Sequence, residues 1–311
     1  MFSAISPALT IGNSTAYYHH SITMTESEHQ LTPGQLEAIL ISGLATSIFS
    51  LIGCLFNLTA TLLLKVHRHT LGKMVILLSI MDSIYNVVGI AQTFKVSSSN
   101  ICQVQSFFVA FGYCGSLAWT CCFAHSLYVT LKQENIEQYF KKYNLVSLFA
   151  AIGLGLLAIT IRFQDLDEET HTCWPKRAEG LFDWAFIIMI LTPTAVSVVY
   201  CTVCYSSVIS KIREFGGKVH RELLLYPLIM IICFTPFTAL RMYIQITQSN
   251  YGPFWLELAS ISLANSQGLL NAFAYGLSGT LKGGCKAICR KRSNSMDQPL
   301  YEENSLNSVH Y

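Results

Sequence analysis

Charge is what this 311-residue sequence has least of: 12% of its residues are Asp, Glu, Lys or Arg, against about 25% in an ordinary soluble domain. Hydrophobic residues make up 52%, so a membrane domain is the expected class. The first 37 residues contain no Lys or Arg and are rich in Ser, Thr and His. Lacking a basic start, an apolar core and a small-residue cleavage site, they carry no cleavable signal peptide. A clustered basic face is also missing, which excludes a nucleic-acid partner. Inside the apolar stretches the clear ionisable side chains are Asp82, His125, Arg241 and Glu257. Those four are too sparse for the convergent Asp and His ligands of a membrane metallohydrolase. No catalytic residues, metal ligands or cofactor are assigned, and the chain is not expected to be an enzyme. Lysine is absent between Leu258 and Leu281, which excludes a retinal Schiff base in the last apolar run. An internal repeat of the kind that builds many transporters is missing too.

Long apolar runs, by contrast, are plentiful. Seven follow one another, over about 38 to 64, 73 to 94, 102 to 131, 143 to 162, 181 to 210, 220 to 247 and 253 to 277. Each is near the roughly 20 residues a helix needs to cross the hydrocarbon core. The fold class expected is therefore all-α, a seven-transmembrane helix bundle spanning 38–277. It is preceded by a tail over 1–37 and followed by a juxtamembrane amphipathic helix over 278–292 and a disordered tail over 293–311. The sixth run is unusual because LLLYPLIMIICFTPFTALRMY carries Pro227, Pro236 and Arg241. Proline removes a backbone donor and bends a helix, a defect that neighbouring helices can repair in lipid. A second such point is Pro193 in the fifth run.

Lys and Arg collect on one side of these runs. Lys65, Arg68 and Lys73 follow the first, Lys132, Lys141 and Lys142 the third, and Lys211, Arg213, Lys218 and Arg221 the fifth; Lys282, Lys286, Arg290, Lys291 and Arg292 follow the seventh. The positive-inside rule then predicts a plasma-membrane protein with its N-terminus outside and its C-terminus cytoplasmic. Asn13-Ser14-Thr15 is a glycosylation sequon usable on that outer tail. Past Gly276, Leu277, Leu281, Cys285, Ile288 and Cys289 share one helical face beside Lys282, Lys286 and Arg290, which suits a helix lying on membrane lipid. Cys285 and Cys289, one turn apart near the membrane, are either palmitoylation sites or unmodified thiols.

Tyr226-Pro227-Leu228-Ile229 opening the sixth run, Arg241 near its outer end, and Gln267-Gly268 through Asn271 to Tyr275-Gly276 in the seventh form an ordered set, joined by Trp119-Thr120 and Cys173-Trp174. In this order and spacing the chain resembles the seven-helix G protein-coupled receptors, specifically the cyclic-AMP-receptor-like group of slime moulds and its plant relatives, over about residues 38 to 285. The resemblance implies a cell-surface receptor that binds an extracellular small ligand and activates a heterotrimeric G protein through the inner loops, where Lys132, Arg213, Lys218 and Arg221 lie. It departs from many such receptors at His125-Ser126-Leu127-Tyr128-Val129, which lacks a basic residue, and at Ala272 within Asn271-Ala272-Phe273-Ala274-Tyr275.

What the resemblance implies for single residues stands beside simpler readings. Asn57, Asp82, Pro236, Gln267, Asn271 and Tyr275 are expected to form a polar hub and switch; the alternative for Asp82 is a hydrogen-bonded structural acid. Arg241, Tyr113, Trp119 and Glu257 are expected at a ligand pocket, Arg241 favouring an anionic or strongly polar ligand. Against this, Arg241 can snorkel to headgroups, Trp119 can serve as core, and Glu257 can cap a helix start. His125 reads as a packing residue before a proton switch. Most of the eleven cysteines fall inside apolar runs, where Cys packs as a small hydrophobe. Cys102 and Cys173 flank such runs on the outward side and are expected to form a disulfide. The competing function class is a transporter or channel using Asp82 and Arg241 along its path.

Overall fold

A computed structural model describes residues 31–94, 98–166, 173–175, 187–214, 225–247, 249 and 251–277. Helix α1 (Pro33–Leu63) begins ahead of its apolar run because Thr32 builds a capping box. The Thr32 hydroxyl accepts from the Gln35 N–H (3.3 Å), the Gln35 side-chain oxygen accepts from the Thr32 N–H (2.9 Å), and Pro33 occupies the first turn, where its missing donor costs nothing. Helices α2 (Thr70–Ala91), α3 (Ser99–Leu131) and α4 (Glu137–Thr160) follow. Ser98 caps α3 by accepting from the Asn100 N–H.

After α4 come two three-residue strands, β1 (Gln164–Leu166) and β2 (Cys173–Pro175), paired antiparallel with Leu166 opposite Cys173 and Gln164 opposite Pro175. A π-helical turn, Ile187–Leu191, leads into α5 (Thr192–Glu214), and α6 is Leu225–Thr247. The π turn ends two positions before Pro193, and prolines and π turns are both common sites of helix distortion. The last crossing is divided into α7 (Phe254–Asn265) and α8 (Gln267–Leu277), interrupted at Ser266. The apolar pattern over 253 to 277 gives no sign of this break.

Among the described residues six helices, α1 to α6 with the π turn included in the fifth, are long and apolar enough to cross a membrane, and α7 with α8 supply the seventh crossing. Helix α3 is the axis of the bundle: 67% of its most apolar window is buried, against 28% to 44% for the other five. It packs on α2, α4, α5, α6 and both strands. Large apolar side chains such as Phe49, Phe149 and Val199 point outward, as a surface in contact with lipid requires. The Cys102–Cys173 disulfide joins the first turn of α3 to β2, with Cα atoms 5.3 Å apart across 71 positions. A loop of that length contributes about 4 kcal/mol by the chain-entropy account. This end of the bundle is called the hairpin end below.

Gly268 explains how α8 lies so close to α1. A Cβ there would come 2.4 Å from the Cys54 sulfur and 2.6 Å from the Ser50 hydroxyl, and a Cβ at Gly53 would sit 2.8 Å from the Leu269 Cα. Two backbones approach because neither carries a side chain at the crossing. Gly268→Val is expected to push the helices apart and cut surface expression several-fold, with Gly34→Val, whose added Cβ meets nothing within 4 Å, as the silent control. Equal surface staining of the two variants would show that the close approach is dispensable.

Candidate functional site

Asp82, on α2 and 3% exposed, is the centre of a buried polar network. One carboxylate oxygen accepts from the Ser116 hydroxyl of α3 (2.6 Å) and the other from the Asn271 side-chain amide of α8 (2.8 Å). Ser116 in turn accepts from the Gln267 amide (2.7 Å). Three helices are thus joined through one acid, with each donor matched to an acceptor. A turn further along α2, the Asn86 amide donates to the Asp82 carbonyl (2.7 Å) and to the Ser50 hydroxyl (3.0 Å), and Ser50 accepts from the Leu269 N–H (3.3 Å) just past the break at Ser266.

The other residues expected at this hub fall as follows. Gln267 and Asn271 join Asp82 directly. Tyr275 lies apart, its hydroxyl accepting from Thr61 (3.1 Å). Asn57 is buried, its side-chain oxygen has no hydrogen-bond partner among the described residues, and the side-chain donors bonded to the Asp82 carboxylate there are Ser116 and Asn271. Pro236 lies inside α6, and its carbonyl accepts from the Ser260 hydroxyl of α7 (2.9 Å). That bond ties α6 at its internal proline to the seventh crossing.

Towards the hairpin end the helices part around a cavity of about 120 Å³. Helix α1 contributes Ile39 and Gly43, α2 contributes Tyr85, with Gln92 and Thr93 just past its end, and α7 contributes Ala264 and Asn265; Arg241 and Phe237 reach it from α6, and Gln164 and Cys173 close it from the strands. The Arg241 guanidinium lies 5.5 Å from the centre of the Phe237 ring, a position that keeps the cation beside the cavity. The hairpin is held over the bundle by the disulfide and by the Gln164 N–H, which donates to the Ser106 hydroxyl of α3 (2.9 Å).

Of the four residues expected at a ligand pocket, Arg241 lines this cavity and the other three do not. Tyr113 turns to α5, hydrogen-bonding the Thr194 hydroxyl and packing edge-on against Phe234 with ring centres 4.9 Å apart. Trp119 is 1% exposed and packs towards Phe140 in the opposite half, because so large a ring is best used filling the α3–α4 seam. Glu257 accepts from the Gly252 N–H (3.0 Å) and closes the turn into α7. Sequence reasoning missed Ser116, Asn265 and Gln164. The first two are ordinary polar residues in apolar runs, and the third opens β1, a strand of three residues too short to leave a pattern in the sequence.

At the other end His125 hydrogen-bonds the Tyr143 hydroxyl through Nδ1 (2.7 Å), with the rings of Tyr128, Tyr139, Tyr143 and Tyr200 between 5.7 and 6.4 Å away. Lys132 is exposed at the end of α3 and lies over the Tyr128 ring at 4.5 Å. Arg213 belongs to α5, but its side chain lies outside the described residues, as do Lys218 and Arg221. Asn13, Cys285, Cys289 and the expected helix over 278–292 lie outside them as well.

The family described as 7 transmembrane receptor (Secretin family) matches residues 34–270 of this chain. A curated protein of Arabidopsis thaliana, G-protein coupled receptor 1, is similar at 24% identity over 298 residues, covering 87% of this chain and 86% of its own length. The family match takes in α1 to α7, the cavity and the Asp82 side of the network.

Proposed function

We propose, from the premise that this chain belongs to the 7 transmembrane receptor (Secretin family), that it binds a small polar extracellular ligand beneath the hairpin and passes the change to a heterotrimeric G protein at the opposite end. The family consists of receptors and not enzymes, and the chain is accordingly a multi-pass membrane receptor. The narrower kinship with cyclic-AMP-receptor-like proteins rests on the Tyr226-Pro227 and Gln267-Gly268 sequences and on the plant relative. The hairpin end is the outer face in this reading, supported by the Lys and Arg excess in the loops at the other end and by a disulfide, which forms on the oxidising side of a membrane.

The observation that carries the proposal is the position of the break in the seventh crossing. Asn265 lines the cavity, Gln267 bonds into the Asp82 network, and the interruption at Ser266 stands between them. A ligand that favours one arrangement of α6 and α7 therefore acts on the network through one residue of backbone. It shifts the balance of two packings only by its difference in affinity for them. Pro236, hydrogen-bonded to Ser260, supplies the bend on α6.

The test is nucleotide exchange. Small metabolites, anions first, are screened on membranes containing the receptor and a G protein heterotrimer, with binding of a non-hydrolysable GTP analogue as readout. Activating compounds are expected, and their affinity is expected to fall several-fold when the analogue is added, because coupling between two sites is reciprocal. Substrate flux without exchange, or surface staining of a tag after Tyr311 on intact cells, would reject the reading.

A further inference from the structure

We propose that Cys121 and Cys201 are a peroxide-responsive thiol pair, whose oxidation to a disulfide fastens α3 to α5 inside the membrane. Both residues lie within crossing helices. Their sulfurs are 3.9 Å apart, with the Cys201 thiol donating to the Cys121 sulfur. The Cys121 thiol donates in turn to the Ser197 carbonyl (4.0 Å), one turn before Cys201 on α5. Cys121 is thereby laid against the α5 backbone at the level of its partner. A sulfur–sulfur bond is about 2.05 Å long, so closing it needs rotation of two short side chains and a small approach of helices that are already packed together.

Exposure separates this pair from the other thiols. Among the described free cysteines, Cys54, Cys114, Cys122, Cys201, Cys204 and Cys233 are buried and Cys121 is half-buried. The thiol that a reagent can reach is thus the one touching a second thiol, which is the arrangement of a sensing cysteine beside its resolving partner. Cys122, next in the chain, is turned to α4, its sulfur 3.6 Å from the Ser147 hydroxyl. Among the described residues no three His, Cys, Asp or Glu side chains are grouped to hold a metal ion, so the contact belongs to two thiols and not to a ligand set. The surroundings select the oxidant. Charged reagents such as glutathione are kept from the hydrocarbon core by the cost of burying their charge, whereas hydrogen peroxide is small and neutral. The Cys121 sulfur attacks one peroxide oxygen; an S–O bond forms, the O–O bond breaks, and the thiol proton leaves with the departing oxygen as water. The Cys201 sulfur then attacks Cys121, the S–S bond forms, the S–O bond breaks, and the second thiol proton leaves in a second water. The two thiols lose two electrons and the peroxide gains them.

The test needs no ligand and is independent of the receptor reading. The full chain is purified in lipid nanodiscs, treated with excess hydrogen peroxide, digested without reduction and mapped by mass spectrometry. A peptide joining the Cys121 segment to the Cys201 segment is expected in most molecules, and dithiothreitol is expected to remove it. Single replacements by Ser assign the bond, because Cys122 and Cys204 fall in the same segments: the joined peptide should vanish in Cys121→Ser and in Cys201→Ser and persist in Cys122→Ser and in Cys204→Ser. The oxidised chain should melt roughly 5 °C above the reduced one, given the roughly 80 residues that the bond encloses, and this shift should be lost in Cys201→Ser. Absence of the joined peptide while Cys102–Cys173 stays intact overturns the proposal, as does Cys121 oxidised to a sulfonate with no bond to α5. A joined peptide that survives in Cys201→Ser overturns the assignment of Cys201 as the partner. A bond that forms without any shift in melting removes its role as a clamp on the α3–α5 seam.

Discussion

Replacing Asp82 with alanine is expected to leave little receptor at the cell surface and none that responds. The substitution strands the Ser116 hydroxyl and the Asn271 amide in a dry interior, each unpaired group costing about 1–3 kcal/mol. Set against the roughly 5–15 kcal/mol by which folded domains exceed their unfolded chains, a loss of that size is disabling. Asp82→Asn should be milder for folding, because one oxygen still accepts a hydrogen bond. It nevertheless sets an amide N–H₂ against a donor on one side, so the join between α2, α3 and α8 is broken at one bond. The network character is tested by a double-mutant cycle. Asp82→Ala combined with Asn271→Ala is expected to cost less than the two single losses added, by about 1–2 kcal/mol. Strict additivity of the two in the thermal stability of detergent-solubilised receptor would mean that the contact contributes nothing.

Arg241→Gln is expected to reach the surface in near-normal amounts and to need roughly 10- to 100-fold more of an activating anion for half-maximal exchange. That range corresponds to about 1.5–3 kcal/mol for a hydrogen bond to a charged group. Expression is spared because Arg241 lies near the end of α6 and is only half-buried, whereas recognition of an anion depends on a charge that an amide lacks. Arg241→Lys should recover part of the response, since the ammonium keeps the charge but not the two-pronged geometry. An unchanged concentration dependence in Arg241→Gln would make this side chain a headgroup anchor. Tyr113, Trp119 and Glu257 would not then inherit the role, because the first is turned to Thr194, the second to Phe140 and the third to Gly252.

Those three residues show where reading the chain in one dimension stops. All are polar or aromatic residues in apolar runs, and nothing in their spacing says which way round the helix axis they face. Trp119 was open to two readings, core or ligand platform, and its ring is buried and packs towards Phe140 of α4. Gln164 is the converse. It sits four positions beyond the end of α4 in a stretch with no pattern, and it reaches the cavity because the Cys102–Cys173 bond and Ser106 fold that stretch back over α3. Asn271 as a partner of Asp82 was implied by the family resemblance, together with Asn57, which the structure leaves out of the bonded set. Ser116, which bonds both Asp82 and Gln267, was hidden among the small residues of α3.

Seven crossings and an all-helical bundle were determined by the sequence alone, because the free energy of placing a segment in lipid is close to a sum over its residues, so length and composition suffice; kinship with membrane receptors came from the order of motifs such as Tyr226-Pro227 and Gln267-Gly268 and not from composition. The pairing of Cys102 with Cys173 was accessible for a related reason: compartment limits the candidates before geometry does. The break at Ser266, the Gly53–Gly268 crossing, the membership of the Asp82 network and the walls of the cavity were decided only by tertiary structure. Each depends on the rotation of one helix about its axis against several others. In lipid that rotation is set by close packing and by hydrogen bonds between helices, which are properties of pairs of residues far apart in the chain.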